Sequence, residues 1–427
     1  MKNKKFIFIL FIILILQLFL PSNIILNSYA DNSNTNNKSL TLYSKGAVLM
    51  ETSTGKILYG KNENEKLYPA STTKILTAIL AIEKYNLNDK IVANNSAIMA
   101  IPSGYSNAAI QPGEALTVKE LLELFLIHSA NEVGYIFAED ISGNIDNFSK
   151  LMNQKATEIG CTNTHFTNPS GIHDAEHYTT AYDMALIAKY CMENKTFRSI
   201  VSMPSCTIEP TDKYEKRYFK NTNDLLDSKS KYYYEGAIGI KTGFTTQAKN
   251  CLIAGSKKNN MELITVVLGA EATDDGRSGR YVDTINLFNY GFDNYKIQQI
   301  ATANKEIKNL VVENATKDSQ NLSLVLKDNI TALTPSNIDL SNINYSINLN
   351  SISAPILQGD VLGKITYKID DIEYTSDLIA NNDVEEAKPF IPIILIAILT
   401  IIIFMIIFKF LLHKKKKKNY DSIYRFK

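Results

Sequence analysis

The run Tyr68-Pro69-Ala70-Ser71-Thr72-Thr73-Lys74-Ile75-Leu76-Thr77-Ala78-Ile79-Leu80-Ala81 decides the fold. Pro69 fixes a turn, and the residues after it open a helix on which Ser71 and Lys74, three apart, share one face. Ile75, Leu76, Ala78, Ile79 and Leu80 make that helix apolar nearly all round, which predicts a core helix and not a surface one. A lysine at the head of a core helix is partly stripped of water. Desolvation disfavours its ammonium form, lowers its pKa and makes it a usable base for the neighbouring serine. An isolated Ser-x-x-Lys also fits an N-cap serine followed by a snorkelling lysine, so the rest of the chain has to decide between the two.

The 427 residues are enough for two domains with their own cores. A net charge of +1 hides a strong polarity along the chain. Residues 1–30 carry three lysines and no acid, residues 390–427 carry eight Lys/Arg against Asp421, and residues 31–389 carry 34 Lys/Arg against 43 Asp/Glu. An acidic middle argues against nucleic-acid binding, and the basic ends are placed where membranes would use them. Met1-Lys2-Asn3-Lys4-Lys5, the apolar run from Phe6 to Leu20 and the small-x-small site Ser28-Tyr29-Ala30 have the form of a secretory signal over 1–30. Cys161, Cys191, Cys206 and Cys251 show neither C-x-x-C pairing nor metal-ligand spacing. Export permits disulfides and four cysteines allow three pairings, none selected by the sequence; buried free thiols are the expectation.

A polar leader spans 31–40. Gly46 to Glu51, the turn Thr52-Ser53-Thr54-Gly55 and Lys56 to Tyr59 predict a hairpin. Residues 75–195 are mostly helical in pattern, with a capping box at Thr117 and Glu120, a buried face from Leu121 to Ile127, a turn at Asn168-Pro169-Ser170-Gly171 and a helix opening at Thr180. Strand character returns at Gly236 to Gly243, Cys251 to Ala254 and Glu262 to Leu268, and Asp283 to Tyr290 closes with a helix. The fold class is therefore α+β, one antiparallel sheet with a helical cluster inserted between its parts, over residues 41–295. Alternating stretches between polar turns predict a small all-β domain over 296–384. Residues 390–412 are long and apolar enough to cross a bilayer as one transmembrane helix, and Lys414 to Lys418 in the tail 413–427 place that end in the cytoplasm and residues 31–389 outside the cell.

Two further motifs join the opening stretch: Ser129-Ala130-Asn131 at the end of a predicted helix, and Lys241-Thr242-Gly243 on a predicted strand. Ser-x-x-Lys, Ser-Asp-Asn and Lys-Thr-Gly make up the signature of serine β-lactamases and penicillin-binding proteins, and Ser129-Ala130-Asn131 stands here in the second place. The roles cohere. Ser71 attacks a carbonyl, Lys74 takes its proton, and Ser129 relays that proton to the leaving amine. Asn131 can hold the substrate's peptide group. Lys241 and Thr242 suit a terminal carboxylate, Gly243 leaves the strand edge unobstructed, and the N–H groups of Ser71 and Phe244 form an oxyanion hole.

Together with Asn168-Pro169-Ser170-Gly171, His177-Tyr178-Thr179-Thr180-Ala181-Tyr182-Asp183 and Gly239-Ile240-Lys241-Thr242-Gly243-Phe244-Thr245, these motifs resemble the low-molecular-weight penicillin-binding proteins that are serine-type D-alanyl-D-alanine carboxypeptidases, peptidase family S11. The resemblance covers roughly 40–295, with 296–383 similar to that family's C-terminal domain. It implies removal of the terminal D-alanine from the peptidoglycan stem pentapeptide through an acyl-serine intermediate, inhibition by β-lactams, no cofactor or metal, and a part for Arg280 in binding the substrate carboxylate. The chain departs from the family at Glu132, where Asp is usual, at Ala248-Lys249, where Ala-Gly is usual, and in its anchor, which is apolar enough to span the membrane instead of lying on it.

His173-Asp174-Ala175-Glu176-His177 matches a zinc-peptidase pattern, but that chemistry needs a helix and this stretch reads as a loop. Two rival functions share the motifs. A serine β-lactamase would need a deacylating glutamate in a Glu-x-x-x-Asn loop, which is not evident between Asn131 and Lys241. A non-catalytic β-lactam or cell-wall sensor would need a cytoplasmic output, and the tail after Leu412 is short.

Overall fold

The computed structural model describes residues 40–388 and 393–423. The expected signal peptide and residues 31–39 of the leader lie outside the described residues. β1 (Gly46–Glu51) and β2 (Ile57–Lys61) form the expected hairpin. The Glu51 carboxylate organises its turn, accepting from the Ser53 and Thr54 backbone N–H groups and from both hydroxyls. After Pro69 the chain makes one 3-10 turn, Ala70–Thr73, and then α1 (Lys74–Lys84), which is buried from Lys74 to Ala81 as its all-round apolar sequence requires.

Two short strands that the sequence did not reveal, β3 (Lys90–Val92) and β4 (Ala115–Thr117), bracket a long segment that is irregular apart from one short helical turn, Asn95–Met99. α2 (Val118–Glu123) carries the predicted capping box: the Glu120 N–H donates to Thr117 Oγ1 at 3.2 Å, and the Thr117 N–H to Glu120 Oε2 at 2.8 Å. Its apolar face continues into a single π-turn, Leu124–His128, which ends at Ser129 with φ +70°. α3 (Asn131–Ser142), α4 (Ile145–Ile159), α5 (Ala181–Glu193) and α6 (Lys195–Val201) complete the helical cluster, with Thr180 capping α5 through its acceptor contact to the Asp183 N–H. A further hairpin, β5 (Ser205–Ile208) and β6 (Arg217–Lys220), precedes β7 (Ala237–Thr245), β8 (Lys249–Lys258), β9 (Met261–Ala270) and α7 (Gly279–Asn294).

The main sheet runs β2-β1-β9-β8-β7, antiparallel throughout, so two strands precede the helical insertion and three follow it. Side-chain alternation divides its faces. Val48, Met50, Ile264 and Val266 join the core shared with the helical cluster, whereas Gly291 of α7 packs against Leu49 and Leu263 on the other face. All six residues of β1 are consequently buried. β7 is left as an edge strand, alongside the turn that carries Ser71.

The following strands, β10 (Tyr295–Ala301), β11 (Glu306–Val311), β12 (Asn321–Leu326), β13 (Ile330–Pro335), β14 (Tyr345–Leu349), β15 (Val361–Ile369) and β16 (Ile372–Ala380), form the expected all-β module as a β11-β12-β16-β15-β14 sheet and a β10-β13 pair. An ion pair from Lys56 in the first hairpin to Asp370 links it to the sheet module. α8 (Ile393–Ile423) covers the expected membrane segment and continues through the lysine run; its side chains from 395 to 415 are exposed. All four cysteines are buried and free.

The segment 93–114 matters because its residues Ser103 to Ser106 form one wall of the site. Its far end is fixed by a buried ion pair, Glu114 with Arg217 of β6, at 0% and 6% side-chain exposure. Thr211 Oγ1 and the Gln111 N–H also donate to Glu114, each at 2.9 Å, and Arg217 donates to the Ala108 carbonyl at 3.2 Å. Glu114→Ala leaves an uncompensated guanidinium in the interior and is expected to destabilise the protein by about 3 kcal/mol or more. Chemical denaturation of the full chain checks this, and adding Arg217→Met should recover part of the loss because the stranded charge is then gone.

Candidate active site

The 3-10 turn, the α2–α3 junction and β7 meet around a cleft of about 580 Å³. Ser71, Ser129, Asn131, Thr242, Gly243, Phe244 and Arg280 all line it. The two remaining sequence candidates, Lys74 and Lys241, sit behind its walls at 0% and 1% exposure.

Lys74 Nζ has three partners, each at 2.8 Å: Ser71 Oγ, Asn131 Oδ1 and the Ser170 carbonyl oxygen. Two of these can only accept. Burial, and then the nearby Lys241 charge, hold the Lys74 pKa well below the ordinary lysine value, with Glu132 opposing. A neutral amine has two N–H bonds and one lone pair. With Asn131 and Ser170 taking both N–H groups, the lone pair is left facing the Ser71 hydroxyl, the arrangement a general base needs.

The turn is pressed into place from two sides. A Cβ on Gly171 (φ +77°) would lie 1.8 Å from the Ala70 carbonyl oxygen, and one on Gly243 would lie 3.0 Å from Ser71 N and 3.1 Å from Pro69 O. Glycine at 243 thus allows β7 to approach the backbone of Ser71 itself, a stricter demand than leaving room for a ligand. The 168–171 turn is built by Asn168 Oδ1, which accepts from the N–H groups of Ser170, Gly171 and Ile172.

Asn131 is more occupied than the sequence suggested. Its Oδ1 accepts from Lys74, and its backbone N–H and Nδ2 both donate to the Ser106 carbonyl at 2.9 and 2.8 Å, leaving one Nδ2–H for a ligand. Lys241 differs from expectation in position. It is buried, donates to the Thr242 carbonyl at 3.1 Å and does not itself line the cleft, although strand alternation puts it on the same face of β7 as Gly243, the face that packs on the Ser71 turn. Burial, with a smaller contribution from Arg280, lowers its pKa to about 7. The groups on the cleft side are Thr242, whose Oγ1 lies 2.6 Å from Thr222 Oγ1, and Arg280, whose guanidinium donates to the Gly243 carbonyl at 3.3 Å and stacks 4.9 Å from the Tyr281 ring centre.

Sequence reading missed Ser170, taken only as part of a turn, and the wall residues Ser103 to Ser106. It also left Glu132 without a task. Glu132 is buried and accepts the Ala108 N–H at 2.6 Å, so with Asn131 it ties the 93–114 wall to the head of α3. The histidine motif lies in the non-helical stretch before α5. His177 has structural work there: Nδ1 accepts from the Thr167 N–H at 3.1 Å and Nε2 donates to Thr73 Oγ1 at 2.9 Å, while burial lowers its pKa to about 3.

Comparison with known proteins agrees with this geometry. The profile of the D-alanyl-D-alanine carboxypeptidase family matches residues 32–272, and that of the penicillin-binding protein 5 C-terminal domain matches 295–386. The chain is 34% identical over 392 residues to the D-alanyl-D-alanine carboxypeptidase DacF of Bacillus subtilis, covering 90% of this chain and 95% of that protein. It is 31% identical over 350 residues to DacA of Haemophilus influenzae, covering 80% and 86%. The crystal structure of penicillin binding protein 5 from Haemophilus influenzae superposes with a TM-score of 0.61 at 28% identity, covering 81% of this chain and 99% of that one. The chain therefore belongs to the serine D-alanyl-D-alanine carboxypeptidases of peptidase family S11, the low-molecular-weight penicillin-binding proteins.

Proposed function

We infer that this chain removes the terminal D-alanine from peptidoglycan stem pentapeptides, with Ser71 as nucleophile and Lys74 as its base. The observation that carries the reading is the 2.8 Å contact between a fully buried Lys74 amine and Ser71 Oγ. The Ser71 proton passes to Lys74 as Oγ bonds to the penultimate D-alanine carbonyl. The N–H groups of Ser71 and Phe244 hold the resulting oxyanion. Collapse breaks the peptide bond, and Lys74 returns the proton through Ser129 to the departing D-alanine nitrogen. Water, deprotonated by the same amine, then cleaves the acyl-serine. Thr242 and Arg280 bind the terminal carboxylate directly, and Lys241 supports it through its charge from behind. A β-lactam carbonyl enters by the same attack, but its opened ring keeps the leaving nitrogen tethered to the acyl group.

The apolar helix α8 is compatible with a membrane anchor. The signal-like start and the lysines after Leu412 support a single-pass arrangement with 41–295 as catalytic domain, 296–384 as spacer and both on the extracytoplasmic face.

Incubation of the purified full chain in detergent with a stem pentapeptide should release D-alanine. Release should be blocked by benzylpenicillin and absent in Ser71→Ala; rapid turnover of penicillin would instead identify a β-lactamase, and acylation without release a sensor.

The pH dependence has a definite sign. Lys74 must be neutral, so activity falls as pH drops through its lowered pKa, whereas Lys241 must be charged, so activity falls as pH rises through about 7. The kcat/KM profile of the free enzyme should therefore turn down on the alkaline side near 7, and Lys241→Arg should remove that limb because a guanidinium does not deprotonate.

Gly243→Ala should slow acylation by penicillin between about 10- and 100-fold by moving the strand off the nucleophile's amide, with binding affected less than rate. Stopped-flow acylation at several penicillin concentrations separates the two.

A further inference from the structure

The catalytic cleft continues beyond the nucleophile. Thr245, Thr246 and Gln247 extend its wall past the end of β7, and Gln247 also lines a second hollow of about 340 Å³, together with Lys45, Lys66 and Tyr178. The order of groups on β7 fixes which part of a substrate would arrive there. Thr242, which takes the terminal carboxylate, precedes Gly243 and its contact with Ser71. The acyl side must therefore leave the nucleophile in the direction of Thr245 and Gln247.

Charge sharpens the point. None of the sixteen residues lining the cleft is Asp or Glu. Over residues 31–389 acids outnumber bases by 43 to 34, so an acid-free lining is not what the composition would supply by default. In the second hollow two lysines stand against one acid, Glu65. Among the described residues neither lysine forms an ion pair. Lys66 Nζ lies 4.3 Å from the centre of the Tyr178 ring, which steadies it at the hollow while leaving its charge uncompensated.

We propose that this second hollow is a subsite for a carboxylate carried by the stem peptide on the N-terminal side of the scissile D-alanyl-D-alanine. The proposal rests on the carboxypeptidase reading above. Two stem positions can supply that chemistry: the free α-carboxylate of a γ-linked D-glutamate at the second residue, or the side-chain carboxylate of a diaminopimelate at the third. Each step back along an extended peptide covers about 3.3 Å, so both lie within reach of the far side of Gln247.

The test uses the full chain in detergent and four pentapeptides, with D-glutamate or D-isoglutamine at position two combined with meso-diaminopimelate or lysine at position three. The expected result is a kcat/KM roughly fivefold higher for carboxylate-bearing peptides, the size appropriate to exposed charge pairs, shrinking at high salt. Lys45→Ala combined with Lys66→Ala should abolish that preference, leaving penicillin acylation and the thermal midpoint unchanged. The position whose carboxylate matters identifies the source. An equal rate on all four peptides in the unaltered protein, or the same preference in the double variant, would overturn the subsite. A penicillin-reactive protein that releases D-alanine from none of the four would overturn the carboxypeptidase reading, and this proposal with it.

Discussion

The structure depends on keeping one amine dry and uncharged without stranding it. Burying an ammonium is costly, and Lys74 is fully buried. The cost is limited because Lys74 finds hydrogen-bond partners from three separate stretches: the Ser71 hydroxyl on its own turn, Asn131 Oδ1 at the head of α3, and the carbonyl of Ser170 on the turn before α5. Each must be in place for the amine to be satisfied. The helical cluster, the 168–171 turn and the edge of the sheet are therefore tied through a single nitrogen, and the same requirement fixes the lone pair on the serine.

A second layer of constraints follows from the first. Asn131 can brace Lys74 because its own position is held by Ser106, and the wall containing Ser106 is held by Glu132, Glu114 and Arg217. Gly171 and Gly243 act by omission, since a methyl group at either would push the Ser71 turn away from its supports. The cleft is thus most heavily braced around Ser71 and Lys74. Its exposed side chains lie further out, at Phe244, Thr246 and Gln247.

Much of this was legible in the sequence, for physical reasons. Motifs on regular elements keep their spacing, so Ser71 and Lys74 on a helical turn, and Thr242 and Gly243 on a strand, could be placed from periodicity and local signals. Period two on β7 also puts Lys241 on the same face as Gly243, the face toward the Ser71 turn, a consequence the motif reading passed over. The wall segment was not legible, because Ser103 to Ser106 stand in a polar stretch without periodicity and their support comes from an ion pair between residues 103 positions apart in the chain. Strands of three residues, such as β3 and β4, give too little alternation to detect. The π-turn at Leu124–His128 was hidden because its residues are simply more of the same apolar face. The family's usual glycine after Ala248 has a visible reason: Lys249 occupies that place with φ +57°, a conformation in which a side chain is strained.

The edge position of β7 has a further consequence. A strand that offers unpaired amides to a peptide substrate offers them equally to any other extended chain, including a second copy of the protein or a partly unfolded neighbour. Addition of a peptide to this edge is thus chemically the same event as the first step of aggregation. Specificity against self-association has to come from what surrounds the edge. Here that surrounding is the fastened wall across the cleft, residues 103–106, and the cations Lys45 and Lys66 near one end. The Glu114–Arg217 pair, which fastens that wall, is therefore placed to bear on association as well as on shape.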